Sequence, residues 1–185
     1  MSKENQLKEI HASGKSYAIY KSINGFDLYT DFSKKITLNN KNVSGFLNKK
    51  RISKKPKKTD LFIGFFGYEL LNNLIGIKVP KQKSMNFPKG IFYKPEKKIS
   101  YSNNLVNYKI DKIRLKKEFK ININRKSYTK IFDKFKKKIK SGETYQIKIC
   151  TKYKLKSAID PLDFFCRLSK TNLAPEAFMI RDKDY

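Results

Sequence analysis

Residues 127 to 180 read SYTKIFDKFKKKIKSGETYQIKICTKYKLKSAIDPLDFFCRLSKTNLAPEAFMI, and the changes of period inside this stretch decide the fold. Apolar residues fall at Tyr128, Ile131, Phe132, Phe135 and Ile139, one stripe of an amphipathic helix whose remaining surface is mostly lysine. Ser127 is the expected N-cap, and Gly142 stands where a left-handed C-cap residue belongs. The period then becomes two. Tyr145, Ile147, Ile149, Thr151, Tyr153 and Leu155 alternate with Gln146, Lys148, Cys150, Lys152 and Lys154, which predicts a strand with its odd-numbered side packed on the helix stripe. Asp160-Pro161 opens a second helix as N-cap and first helical residue, with Asp163 near the positive end of its dipole and Leu162, Phe165, Cys166 and Leu168 as its apolar face. Asn172-Leu173-Ala174-Pro175 breaks that helix, and Ala177 to Ile180 begins another strand.

Outward from this block, the upstream chain reads as hairpins. Met1 to Lys15 is polar and expected to fray. Ser16 to Ser22 and Gly25 to Phe32 are strands joined at Asn24-Gly25 by a turn of type I′. Lys49 to Lys58, the densest charge run, contains a proline and reads as a solvated loop. Leu61 to Phe66 is a buried strand, with Gly64 and Gly67 allowing a close backbone approach. Tyr68 to Ile75 follows as a short helix, and 79–88 as a loop. Strands are expected at Gly90 to Tyr93, Ile99 to Ser102 and Leu105 to Ile113, with a turn at Pro95-Glu96-Lys97-Lys98. Lys116 to Arg125 is a polar linker. The fold class is α+β, an antiparallel sheet or sandwich with a few helices at Tyr68, Ser127 and Asp160 packed on it.

Three segments carry a family resemblance. The run Lys140-Ser141-Gly142-Glu143-Thr144-Tyr145-Gln146-Ile147 resembles the I-x-x-G-D/E-x-Y-Q-V signature of chorismate-utilising enzymes, the large subunits of anthranilate synthase and aminodeoxychorismate synthase. Asn172-Leu173-Ala174-Pro175 is similar to the N-x-A/S-P turn that follows in that family. Phe62 to Leu70, with Gly67, Tyr68 and Glu69, is similar to its G-x-x-G-Y-x-x-E stretch. The resemblance covers Asp60 to Tyr185. It implies an N-terminal region over residues 1–120 and the start of a chorismate-binding catalytic domain over 121–185, ending before the family's catalytic and metal-binding motifs. By resemblance, Ser22, Pro175, Glu176 and Ala177 correspond to the pocket where many members bind tryptophan. Glu176 replaces an aromatic residue there, and a carboxylate in an apolar pocket needs a partner.

The resemblance further implies Mg2+ as the cofactor of the complete enzyme and two partners: a C-terminal chorismate-binding segment and a glutamine amidotransferase subunit. This chain alone is expected to hold no metal and to supply no catalytic residue. Its 16 acidic residues are scattered, whereas a hard cation needs converging oxygen ligands. Ile147-Lys148-Ile149-Cys150 lacks the proline usual in anthranilate synthases and leans toward the aminodeoxychorismate branch.

Composition sets the rival reading. The net charge is +27, which suggests a nucleic-acid module built on Lys49 to Lys58 and the Ser127 helix. Only Arg51, Arg114, Arg125, Arg167 and Arg181 among the 43 basic residues are arginine, however, and guanine and phosphate readers favour its planar fork. A lysine-, asparagine- and isoleucine-rich chain without tryptophan is what an AT-biased coding sequence gives any fold. Cys150 and Cys166 form neither a disulfide framework nor a zinc site and are expected to be buried thiols. No secretory h-region or membrane-length apolar run is present, so the expected compartment is the cytoplasm.

Overall fold

The computed structural model describes residues 3–48, 55, 57–70, 74–76, 87–102, 119–155, 159–172 and 174–183. The chain divides into two compact units, one formed by residues 1–109 with 162–185 and the other by 110–161. Both fit the α+β class, with every strand pair antiparallel.

The first unit is built on α1 (Lys3–Ala12), β1 (Tyr17–Ser22), β2 (Gly25–Thr37), α2 (Val43–Leu47), β3 (Ile63–Phe66) and β4 (Gly90–Tyr101). β1, β2 and β4 form one five-stranded sheet with β3 and with β7 (Ala177–Arg181), in the order β3-β4-β2-β1-β7. It is a single open sheet, not a sandwich. Tyr17, Ala18 and Ile19 are all buried, so β1 is covered on both faces, as consecutive buried residues of a strand require. Within the stretch expected to fray, Lys3–Ala12 form a helix. Leu7 of α1 enters the core, and His11 Nδ1 lies 2.7 Å from the Tyr17 hydroxyl oxygen and 2.8 Å from Arg181 Nη1.

The β1–β2 hairpin turns on Ile23-Asn24, with Ser22 paired to Gly25. Positive φ falls on Gly25 at 133°, and among the described residues Asp31 is the one non-glycine with positive φ, so the turn is not type I′. The expected turn at Pro95 is also absent. β4 runs unbroken for 12 residues because the 13-residue β2 offers it a continuous partner. Pro95, which has no N–H to donate, lies opposite Phe32, where the register shifts before Lys34 and Ser33 is the extra residue. A bulge is where a strand tolerates proline. β3 is an edge strand and half-buried, not the buried one expected. Gly64 pairs with Phe92 so closely that a Cβ there would meet the Ile91 carbonyl oxygen at 1.9 Å. Of the expected helix Tyr68 to Ile75, Tyr68–Leu70 form a 3-10 turn and Leu74 is helical, both Leu74 and Ile75 being exposed, while 71–73 lie outside the described residues. Leu70 joins Leu38, Val43 and Phe92 in a satellite core capped by Phe46 and Phe62.

α4 (Pro161–Thr171) starts at Pro161 as expected and buries Leu162, Asp163, Phe165 and Cys166, while Leu168 is exposed. Asp163 pairs with Arg167 one turn on, at 3.5 Å. The strand expected over 105–113 lies outside the described residues, as do 49–54, 56 and 79–86 of the two expected loops.

The second unit holds β5 (Phe119–Ile121), α3 (Arg125–Lys140) and β6 (Tyr153–Leu155), with β5 paired to β6. β5 occupies part of the stretch expected to be a linker. The N-cap of α3 is Asn124, not Ser127: its side chain accepts the Ser127 N–H at 2.8 Å, which leaves Ser127 inside the first turn. Gly142 has the left-handed φ of 78° expected of it. Its N–H bonds to the Ile139 carbonyl and that of Glu143 to the Lys138 carbonyl, the paired closure of a Schellman motif. The strand expected from Tyr145 forms only at Tyr153–Leu155, and Tyr145 is 92% exposed. Ile147 and Ile149 are half-buried while Lys148 and Cys150 face out, so the alternation holds over 147–150 but not at Tyr145, Thr151 and Tyr153, which are exposed. The packing is not as expected: α3 has no buried residue, and Cys150 is an exposed thiol.

Candidate functional site

The site assembles where β1 ends and β7 begins. Antiparallel pairing sets Tyr20 opposite Phe178 and Lys21 opposite Ala177, so Ser22 lies at the mouth of the turn that enters β7. The Lys21 ammonium donates to the Ala174 carbonyl at 3.2 Å and fastens this turn to the end of β1. The pairing thus brings Ser22 beside Pro175, Glu176 and Ala177, although they are far apart in sequence. Directly opposed residues share a sheet face. Ala18, Tyr20, Phe178 and Tyr29 therefore stand on one face, with Ala177 and Lys21 on the other.

On that face an open, mostly apolar recess of about 380 Å³ is lined by Ala18, Tyr20, Tyr29, Phe62, Ile63 and Phe178. At one end the Glu176 carboxylate acts on the Tyr20 hydroxyl: its hydrogen-bonding pull, then desolvation and its charge, raise the Tyr20 pKa. The carboxylate that looked misplaced in an apolar pocket is exposed to solvent. On the same face Asp27 takes the Lys98 ammonium at 2.7 Å and the Ser100 hydroxyl at 2.6 Å. Burial pushes the Asp27 carboxyl upward, but these two hydrogen bonds and the Lys98 charge outweigh it and leave its pKa lowered. Lys98 is raised in turn, first by its hydrogen bond to Asp27. Desolvation, and then the Asp27 charge, raise the Tyr29 phenol. The arrangement offers two tyrosines and a phenylalanine for an aromatic ligand, an exposed carboxylate for a ligand cation, and a lysine held by an aspartate.

Tyr20 and the Asp27–Lys98–Ser100 set were missed in the sequence. Alternation along β2 puts Asp27 on the same face as Tyr29, but the partners of Asp27 on β4 follow from a register that the sequence does not state. A second recess of about 600 Å³ lies between α1, β2 and the chain after β7. There Asp182 is buried, accepts the Tyr93 hydroxyl and pairs with Lys35 at 2.8 Å.

The remaining motif residues do not enter the recess. Gly67 bonds to the Lys89 carbonyl at 2.6 Å and positions Leu70 in the satellite core, with Tyr68 and Glu69 exposed. Asn172 closes α4 through its N–H to the Leu168 carbonyl. Gly142, Tyr145 and Gln146 belong to the second unit and are exposed. Of the Lys49 to Lys58 run, Lys55, Lys57 and Lys58 are exposed. No group of three potential metal ligands occurs among the described residues. Asp182 is committed to Tyr93 and Lys35, so these residues do not fit a magnesium site. No helix among the described residues is long and apolar enough to cross a membrane.

Comparison with known proteins bears out the resemblance drawn from the motifs. Residues 107–185 match the family model described as chorismate binding enzyme. The chain is 27% identical over 169 residues to anthranilate synthase component 1 of Buchnera aphidicola subsp. Pemphigus spyrothecae, covering 73% of this chain and 32% of that protein. It thus spans about a third of that relative's length.

Proposed function

We propose that this chain, whose residues 107–185 are similar to chorismate binding enzymes, is the N-terminal portion of a chorismate-aminating synthase. The complete enzyme would convert chorismate and glutamine-derived ammonia to aminodeoxychorismate or anthranilate, as a cytoplasmic protein with a glutamine amidotransferase subunit. The observation that carries the reading is that the family match spans both the Gly142–Gln146 and the Asn172–Pro175 motifs. In this reading the chain contributes scaffold and a ligand face, and a C-terminal segment contributes the catalytic and magnesium-binding groups. The face of Tyr20, Tyr29, Phe178 and Glu176 takes an aromatic amino acid, stacked on the rings with its ammonium at the carboxylate.

The test is turnover. The purified chain, given chorismate, ammonia and magnesium, is expected to leave chorismate absorbance at background. Adding the C-terminal two-thirds of the Buchnera relative is expected to start its consumption. Turnover by the chain alone would overturn the division of labour, with Glu69, Glu143 and Glu176 the first residues to examine. Failure of every such mixture, in cis fusion as well as in trans, would overturn the reading itself.

A further inference from the structure

We propose that the open side of α3 is the docking face for the C-terminal chorismate-binding segment, an inference that rests on the function just proposed. At 100° per residue, Ile131, Phe135, Tyr128, Ile139 and Phe132 follow one another around the helix across about 100° of arc. One margin, Ile131 and Phe135, is half-buried. The other is open, with Tyr128 39%, Ile139 42% and Phe132 46% exposed. A helix that keeps an apolar stripe in water gains nothing from it, since helical stability in proteins comes mostly from packing that stripe.

The neighbouring segment has the same deficiency. The Schellman turn at Gly142 directs the chain into residues 145–151, which alternate like a strand in sequence but, among the described residues, join no ladder before Lys152 meets Asn122 beside β5. A surface helix adapted to lipid would have no use for an unpaired strand beside it. Two consecutive elements that, among the described residues, are each covered on one margin only point instead to one part of a larger packed domain. Both lie inside the family-matched residues 107–185, and the relative has two-thirds of its length outside the aligned region. Arg125 and Lys136 border the open margin, so the partner surface is an apolar strip edged by carboxylates.

The probe is the C-terminal two-thirds of the Buchnera relative, mixed with the full 185-residue chain and followed by titration calorimetry and sedimentation velocity. The wild-type chain is expected to form a one-to-one complex. Phe132→Glu with Ile139→Glu should weaken it about hundredfold, as loss of central anchors does. Lys130→Glu with Lys137→Glu, equal in number and on the opposite side, should change it less than about threefold. Far-UV circular dichroism should show the helix intact in both. A complex indifferent to the Phe132 and Ile139 changes would refute this docking face and leave the proposed function standing. If neither trans mixing nor a cis fusion gave an interaction, both would fall. A homodimer abolished by Phe132→Glu with Ile139→Glu, without binding of the probe, would make the occupant a second copy and overturn the inference.

Discussion

Leu28 and Phe132 are both large apolar residues on regular elements, yet truncating them should have very different consequences. Leu28 is 0% exposed at the centre of the sheet, opposite Ile19 on β1 and Ile99 on β4. Leu28→Ala removes three carbons, about 2.4 kcal/mol of transfer free energy at about 0.8 per methylene. Close neighbours on both sides limit collapse, and a residual hole of about 50 Å³ adds about 1.2 kcal/mol. The expected cost is therefore about 3 to 4 kcal/mol. Phe132 is 46% exposed on a helix without a buried residue. Phe132→Ala forfeits about 1 kcal/mol of partial burial and regains about 0.5 from the better helix former, a net cost near 0.5. Urea unfolding followed by circular dichroism and tyrosine fluorescence reads both. With a slope of about 1.5 kcal/mol per molar, Leu28→Ala should lower the midpoint by about 2 M and Phe132→Ala by about 0.3 M. Should Leu28→Ala fail to fold, Ile19→Val at the neighbouring buried position, at about 1 kcal/mol, keeps the comparison readable. Equal shifts for the two truncations would refute the account, because they would mean that the α3 stripe is already packed in the isolated chain.

Gly64→Ala should unzip β3 from β4, since the new methyl meets the Ile91 carbonyl at 1.9 Å and the Phe92 Cα at 2.7 Å, neither of which can swing aside. The expected loss is about 3 kcal/mol, with new proteolytic cleavage between 61 and 70; unchanged stability and cleavage would argue against the pairing. Asp27, lowered in the fold, contributes stability above the ordinary carboxylate pKa and loses it as pH falls through its folded value. Asp27→Asn should accordingly flatten the acid limb of a midpoint-against-pH curve below about pH 4, and an unaltered limb would show that the Lys98 and Ser100 contacts contribute nothing.

What was legible in the sequence follows from what each element depends on. Amphipathic helices and two-residue alternation are local properties, so α3, α4, β1 and β7 were readable to within a few residues. Gly142 was readable because its role is set by φ alone. Pro95 misled because the bulge that accommodates it lies on β2, far away in the chain. Ser127 misled because both it and Asn124 are good caps, and only the backbone geometry decides between them. The α3 stripe was read correctly as apolar and wrongly as buried: periodicity states which side seeks a neighbour, not whether one is present. Cys150 was misjudged for the same reason, as a residue of a strand that lacks its sheet. At the site, Ser22 and Pro175 to Ala177 came from resemblance. Their adjacency, and the roles of Tyr20 and Lys98, depend on pairings between distant strands.

The pairing of β1 with β7 also has a consequence for how the protein is born. Lys21 and its partner Ala174 are 153 residues apart. At about 5 to 20 residues per second, a ribosome takes about 8 to 30 s to deliver the second after the first. The β1–β2 hairpin forms in microseconds, so throughout that interval its outer edge, Tyr17 to Ser22, is an open template of unpaired amides flanked by tyrosine and isoleucine. Nascent chains stalled before residue 177 should accordingly be captured by holdase chaperones, and those stalled after the exit of Arg181 released. β7, made long after β1, acts as the seal on its edge.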